Sequence, residues 1–242
     1  MKTNVLSYLL ILFTFYLHSQ TAISGNIKDW NDPGADIVAG MNQPITIGSI
    51  DDKGDFIIEL NKELVQSILS DIDGFNENSD EWKTSLNSID KAFSCHSETV
   101  TISNGEQPII SLTTFGSFSI ANILIKKMYG SFMMVNTKDF AEGVRAFGKY
   151  QNKEGYYLDM YYFEEAASVK GECSMDSYAV NQEEMYSAKN IYELDFQPGW
   201  NIVQYQVIEL FEDKDGKTYE KTVVWKTLDK LPKDLQYVFF PR

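Results

Sequence analysis

Histidine is almost missing from this chain: His18 and His96 are the two present in 242 residues. His18 lies in a leader-like segment. Proton-transfer chemistry built on histidine therefore rests on His96 alone, and a zinc site of ordinary composition would have to join His96 to both cysteines and a carboxylate. Basic residues are few as well, with 21 Lys and Arg against 35 Asp and Glu, a formal charge of −14 and a pI near 4.5. Such a chain gives phosphate backbones nothing to neutralise and is repelled by anionic lipid heads, so nucleic acid is not an expected partner. Missing too are G-x-S-x-G, H-E-x-x-H, a P-loop and G-x-G-x-x-G, the spacings that mark nucleophile elbows, zinc proteases and phosphate cradles. No cofactor, no metal and no catalytic residue is expected on these grounds.

What the chain does have is 43% hydrophobic and 14% aromatic residues, enough to fill a packed core. Its first twenty residues stand apart from that core. Lys2 supplies a positive start, Val5 to Leu17 is an unbroken largely apolar run, and small or polar residues follow around Ser19. This is the three-part polarity of a secretory signal peptide, and the run falls short of the roughly 20 residues that a bilayer needs. The expected mature chain starts between Ser19 and Ala22, is periplasmic or extracellular, and inserts no further segment into a membrane. Losing Lys2 takes its charge to −15.

Export changes how Cys95 and Cys173 are read. Two thiols in an oxidising compartment usually pair, which would tie the end of a helical interval to the C-terminal β unit. Free buried thiols are the alternative. A Cys95 nucleophile with His96 beside it is a third reading, disfavoured because adjacent residues point apart and catalytic Cys/His partners meet across a fold.

Periodicity divides the rest. Ile23 to Ile27 alternates, Asn31-Asp32-Pro33-Gly34 is turn chemistry, and Ile45 to Ile50 with Phe56 to Ile58 flank Asp51-Asp52-Lys53-Gly54 as a hairpin. Leu60, Leu64, Val65, Ile68, Leu69 and Ile72 then fall at helical spacing, with Asn61 placed to cap. A polar connection over 73–80 leads to a second helical pattern, Trp82, Leu86, Ile89 and Phe93, with Ser79 as its cap. From Glu98 strands dominate: 99–102, 109–114, 117–125, 131–135, 156–163, and a hairpin of 202–211 with 219–226 around Asp213-Lys214-Asp215-Gly216. Residues 137–150 read as a loop with helical character, because Gly143 and Gly148 weaken the helix.

The stretches ISGNIKDW, GADIVAG and PITIGSIDDKGDFIIEL resemble the small transthyretin-like β-sandwich of carboxypeptidase-regulatory-like modules. VKGEC and LDFQPGWNIVQYQV resemble the C-terminal part of uncharacterised secreted bacterial proteins with a similar GWN strand start. The resemblance implies an exported, non-catalytic β protein and brings no active-site residues.

Three features are candidate sites. The acidic stretch 71–81 offers Asp71, Asp73, Asn76, Asn78, Asp80 and Glu81, ligands of the type calcium takes, but not at EF-hand spacing; a solvated connection between helices is the expected reading. Asp213 and Asp215 are expected to be hairpin-loop residues, and Trp200 a core anchor at a strand start. The segment Tyr156 to Phe163 is the main binding candidate. Alternation puts Tyr156, Leu158, Met160 and Tyr162 on one face and Tyr157, Asp159, Tyr161 and Phe163 on the other. If the first face is core, the second has two readings: Tyr157, Tyr161 and Phe163 form an exposed surface for a glycan or an envelope protein, or the outer tyrosines pack under a loop or against the other domain.

The sequence thus predicts a mainly β protein: signal peptide 1–20, a small transthyretin-like sandwich plus helix 21–72, a helical connection 73–97, and a C-terminal β-sandwich 98–242. Its expected function is non-catalytic recognition or structure at the cell envelope. The alternative is a secreted glycan hydrolase working through paired carboxylates, which would need two acids flanking a cleft.

Overall fold

The computed structural model describes residues 22–40, 43–79, 83–95, 99–113 and 116–242. The leader expected over 1–20 lies outside them. The first four strands, β1 to β4, are Ala22–Asn26, Ala35–Ala39, Ile45–Ile50 and Asp55–Glu59, followed by helix α1, Lys62–Asn78, and a single turn α2, Ile89–Ala92. Next come β5 Val100–Ser103, β6 Ile110–Ser111, β7 Ser117–Asn122, β8 Lys127–Val135, helix α3 Lys138–Arg145 and β9 Gly155–Phe163. The chain closes with β10 Ala167–Tyr178, β11 Met185–Phe196, β12 Gly199–Glu212, β13 Thr218–Leu228 and β14 Gln236–Pro241. The protein is mainly β, as expected.

All fourteen strands belong to one hydrogen-bonded sheet, in the order β1-β4-β3-β2-β7-β8-β9-β12-β13-β11-β10-β5, with β14 on β8 and β6 on β9. Both expected hairpins form, β3 with β4 and β12 with β13. The expected break between an N-terminal and a C-terminal unit is bridged: Asp36, Ile37 and Val38 of β2 pair with Ala121, Ile120 and Ser119 of β7. One apolar cluster spans the joint, with Ile23, Ile58 and Val65 packed in the same body as Phe118, Phe132, Leu158 and Ile202. Burial across that joint is what the strand-by-strand reading left out, because periodicity reports which face is apolar and not which distant face covers it.

Local chemistry explains where elements start and stop. Asn61 Oδ1 accepts the N–H of Leu64 at 2.8 Å and caps α1, whose Leu64 and Val65 are buried. The helix runs further than its apolar pattern, so Asp73, Asn76 and Asn78 are helical and do not form the expected connection. It ends where Asn76 clamps Thr84, donating Nδ2 to its carbonyl at 2.8 Å and accepting its N–H at 2.7 Å. Ser79 is therefore the C-cap of α1 and not the cap of a second helix. That second helix shrinks to α2. Its apolar residues serve two bodies, Leu86 packing on the first cluster and Ile89 and Phe93 on a second with Val169, Leu194 and Phe196, so no single helical face is needed. Trp82 lies outside the described residues. Residues 138–145, expected to be loop-like, form two turns of helix capped by Thr137, whose Oγ1 accepts from Phe140 N–H at 3.2 Å. Gly143 is no defect there, since a Cβ would stand 3.1 Å from the Gln151 carbonyl; the residue is small because the helix lies close to that segment.

The PGWN stretch is a strand start held by its asparagine. Asn201 Nδ2 donates to the carbonyls of Gln197 and Gly199 at 2.8 and 2.9 Å, and its Oδ1 accepts from Gln197 N–H. Trp200 is buried and meets Tyr162 edge-on at 5.4 Å, the core anchor that was expected.

Candidate functional site

The alternation read along β9 is correct, and the exposure assigned to it is not. Tyr156, Leu158, Met160 and Tyr162 all enter the first cluster. On the other face Phe163 joins the second cluster with Tyr161 packed against it, and Tyr157 joins a third with Phe140, Val207 and Val223. Tyr157 is 4% exposed and Phe163 1%, while Tyr161 is half-buried. The three do not form an open binding surface, because β9 is an interior strand with α3 and the α2 segment covering its second face. An aromatic-rich strand with no polar position but Asp159 carries this signal: a strand buried on both faces reads as a near-continuous apolar run.

Asp159 is the exception on that face, and it is 4% exposed. Its Oδ1 accepts the N–H of Gly116 at 2.8 Å and the hydroxyl of Thr113, and Tyr161 donates to the same carboxyl. Burial pushes its pKa from an ordinary 3.8 up to about 6, against the pull of those three donors. Tyr161 and Tyr157 are held well above the usual phenol range, first by burial and then by the Asp159 charge. The carboxylate sits where the edge of β9 is divided. β6 pairs at Tyr161 and Tyr162, β8 at Tyr157, and Gly116 meets the carboxylate between them. Gly116 stands at φ +65°, and a Cβ there would press on the Leu158 carbonyl and the Tyr157 ring at about 3.0 Å.

A row of rings extends from Tyr157. Across the β9–β12–β13 register, Tyr157 faces Tyr205 and Tyr205 faces Trp225. Tyr157 and Tyr205 stack with centroids 4.8 Å apart, and Tyr205 meets Trp225 edge-on at 4.7 Å. The Tyr205 hydroxyl donates to Glu220 Oε2. Burial raises the Glu220 pKa and the hydroxyl of Tyr205 opposes that rise. Glu220 reaches this face because the register slips between Val207 and Glu209 and again between Glu209 and Leu210, so Leu210 pairs with Glu220. Plain alternation places Glu220 on the opposite side, and no sequence signal reports the slip.

Beside this buried row a cleft of about 340 Å³ lies between α1, β2 and β7. Val38, Ile68, Ile72 and Leu112 wall it, and Asp71, Ser111 and Thr113 edge it. Thr113 links cleft to clamp, since its hydroxyl binds Asp159. Asp71 Oδ1 also accepts the N–H of Gln43 at 2.8 Å.

Among the described residues no group of three or more acids, cysteines or histidines is placed to hold a metal. Asp80 and Glu81 of the acidic stretch lie outside those residues. Asp213 acts within its own hairpin: Oδ1 accepts from the N–H groups of Asp215 and Lys217, both at 2.9 Å, and Oδ2 from the Tyr219 hydroxyl. Burial works against its charge, yet these donors outweigh it and hold the carboxyl below its ordinary range. Cys95 and Cys173 are joined, with Cα atoms 5.8 Å apart, fastening the segment after α2 to β10. His96 lies outside the described residues.

No protein family, curated protein or solved structure matches this chain.

Proposed function

We propose that the chain is an exported, non-catalytic recognition protein of the cell envelope that holds a glycan in the cleft between α1, β2 and β7. The observation that carries the reading is the engagement of the buried acids. Asp159 and Glu220, the carboxylates that burial pushes upward, are occupied by the chain's own donors, Thr113, Gly116 and Tyr161 for one and Tyr205 for the other. The nearby cleft is walled by aliphatic side chains and edged by hydroxyls and one carboxylate, the mixture with which small ligand sites orient a polar body on an apolar floor. The paired Cys95 and Cys173 and the leader-like start support export. The likeness of residues 21–72 to a transthyretin-like module belongs to the same reading, as a scaffold beside the cleft.

The glycan hydrolase keeps one observation in its favour, the Asp159 pKa of about 6, suited to an acid. A glycan array probed with the exported protein, followed by a reducing-end assay on any glycan retained, separates the two. Retention without new reducing ends, lost in Ile68→Asp, is the expected result. New reducing ends would establish the hydrolase, and capture of an envelope protein with no glycan retained would replace the ligand.

A further inference from the structure

The sequence contains two arginines, Arg145 and Arg242, and both line one groove of about 260 Å³. They come from distant parts of the chain, the last turn of α3 and the residue after β14. The groove floor is a single register row: Ser119 of β7 faces Ser131 of β8, which faces Phe240 of β14. Arg145 lies over the Phe240 ring, 4.2 Å from its centroid, and donates from Nη1 to Ser131 Oγ at 3.0 Å. Arg242 is anchored through its backbone, N–H to the Tyr129 carbonyl at 2.9 Å. Gly130 permits this closeness, because a Cβ there would run into the Phe240 carbonyl.

The charge of the groove is not spent. Among the described residues the six ion pairs all use lysine, and neither guanidinium takes part in one. Placement in the last turn of α3 accounts for Arg145, since a cation there meets the negative end of the helix dipole, but it does not account for Arg242 in the same groove. Two guanidinium groups outside any ion pair thus border one groove in a chain of charge −14, and two serines border it with them. That donor set fits planar or tetrahedral oxyanions, which guanidinium binds bidentately.

We propose that this groove is an oxyanion site that takes a carboxylate, sulfate or phosphate group, with Arg145 and Arg242 as its charged donors and Ser119 and Ser131 as hydroxyl partners. The site stands independently of the cleft function, although Ser119 borders both.

Two arginines give two side-chain Nε–Hε signals, so the test reads the site directly. The 15N-labelled protein is titrated with sodium sulfate, inorganic phosphate, glucuronate and a uronate oligosaccharide, with chloride holding ionic strength constant. Both signals are expected to shift together and saturate with one Kd. Arg242→Gln should weaken binding by about 10-fold or more at an unchanged melting temperature, as loss of a charge-assisted donor implies. An oligosaccharide binding at least about ten times tighter than glucuronate identifies the source as an acidic glycan, and equal affinities identify free anions. Signals that stay fixed, that drift without saturation, or that keep their affinity in Arg242→Gln overturn the site. Arg145→Gln repeats the test from the other side, and Ile68→Asp, which disables the cleft, should leave the titration unchanged.

Discussion

Gly116 donates its N–H to Asp159 Oδ1 at 2.8 Å across 43 residues of sequence, and the contact holds Gly116 at the divided edge of β9. Burial of Asp159, whose effect on the carboxyl outweighs that contact, gives the first prediction its sign.

Folding raises the Asp159 pKa from 3.8 to about 6, so the folded protein binds this proton more tightly than the unfolded chain. The penalty for its charge is absent below about pH 4, grows as pH rises through about 6, and then levels off near 3 kcal/mol. Asp159→Asn removes the charge and keeps an acceptor for Gly116. Chemical denaturation from pH 4 to pH 7 should show the variant gaining on the wild type by about that amount, with parallel curves counting against a buried, charged Asp159.

Gly116→Ala should cost about 1–3 kcal/mol, because an L residue at φ +65° is disfavoured and its Cβ would stand about 3.0 Å from the Leu158 carbonyl. Combined with Asp159→Asn, the effect should be non-additive, since the Cβ at 116 shifts the backbone N–H that residue 159 accepts from. Additive changes in urea titrations would separate the two residues.

Tyr205→Phe removes the hydroxyl that Glu220 accepts from. Near pH 7 the buried carboxylate loses a donor, for about 1–3 kcal/mol. The cost should shrink near pH 4, where Glu220, whose pKa burial already raises, carries its own proton. Equal losses at both pH values would deny the carboxylate its part.

Reducing the Cys95–Cys173 bond opens a loop with a sequence separation of 78, worth about 4 kcal/mol in the chain-entropy account. Dithiothreitol should lower the melting temperature, and unreduced, denatured protein should titrate no thiol. Two titratable thiols would refute the pairing.

Much of this was legible because it is local. Asn61, the Asp51–Gly54 turn and the alternation along β9 each act within a few residues, and each does what its chemistry predicts. β10 does alternate, with Ala167, Val169, Cys173 and Met175 between Ser168, Lys170, Glu172, Ser174 and Asp176, but Val169 is its one β-branched apolar residue, so its strand propensity is weak. Tyr192, Leu194 and Phe196 do alternate, and they are the signal that locates β11. The misreading of Tyr157 and Phe163 has another cause. Which side of a strand meets solvent depends on what packs over it, and here the cover is α3, α2 and the neighbouring strands, 20 or more residues distant for several of its members. The arginine groove was invisible for the same reason, its two charges lying 97 positions apart.

The last strand also sets the timing of the fold. β14 pairs residues 236–241 with 130–135, along the edge of β8 that would otherwise stay open. Contacts so distant in sequence form slowly. During refolding that edge therefore stays uncovered after nearer strands have paired, a template on which a second chain can add a strand.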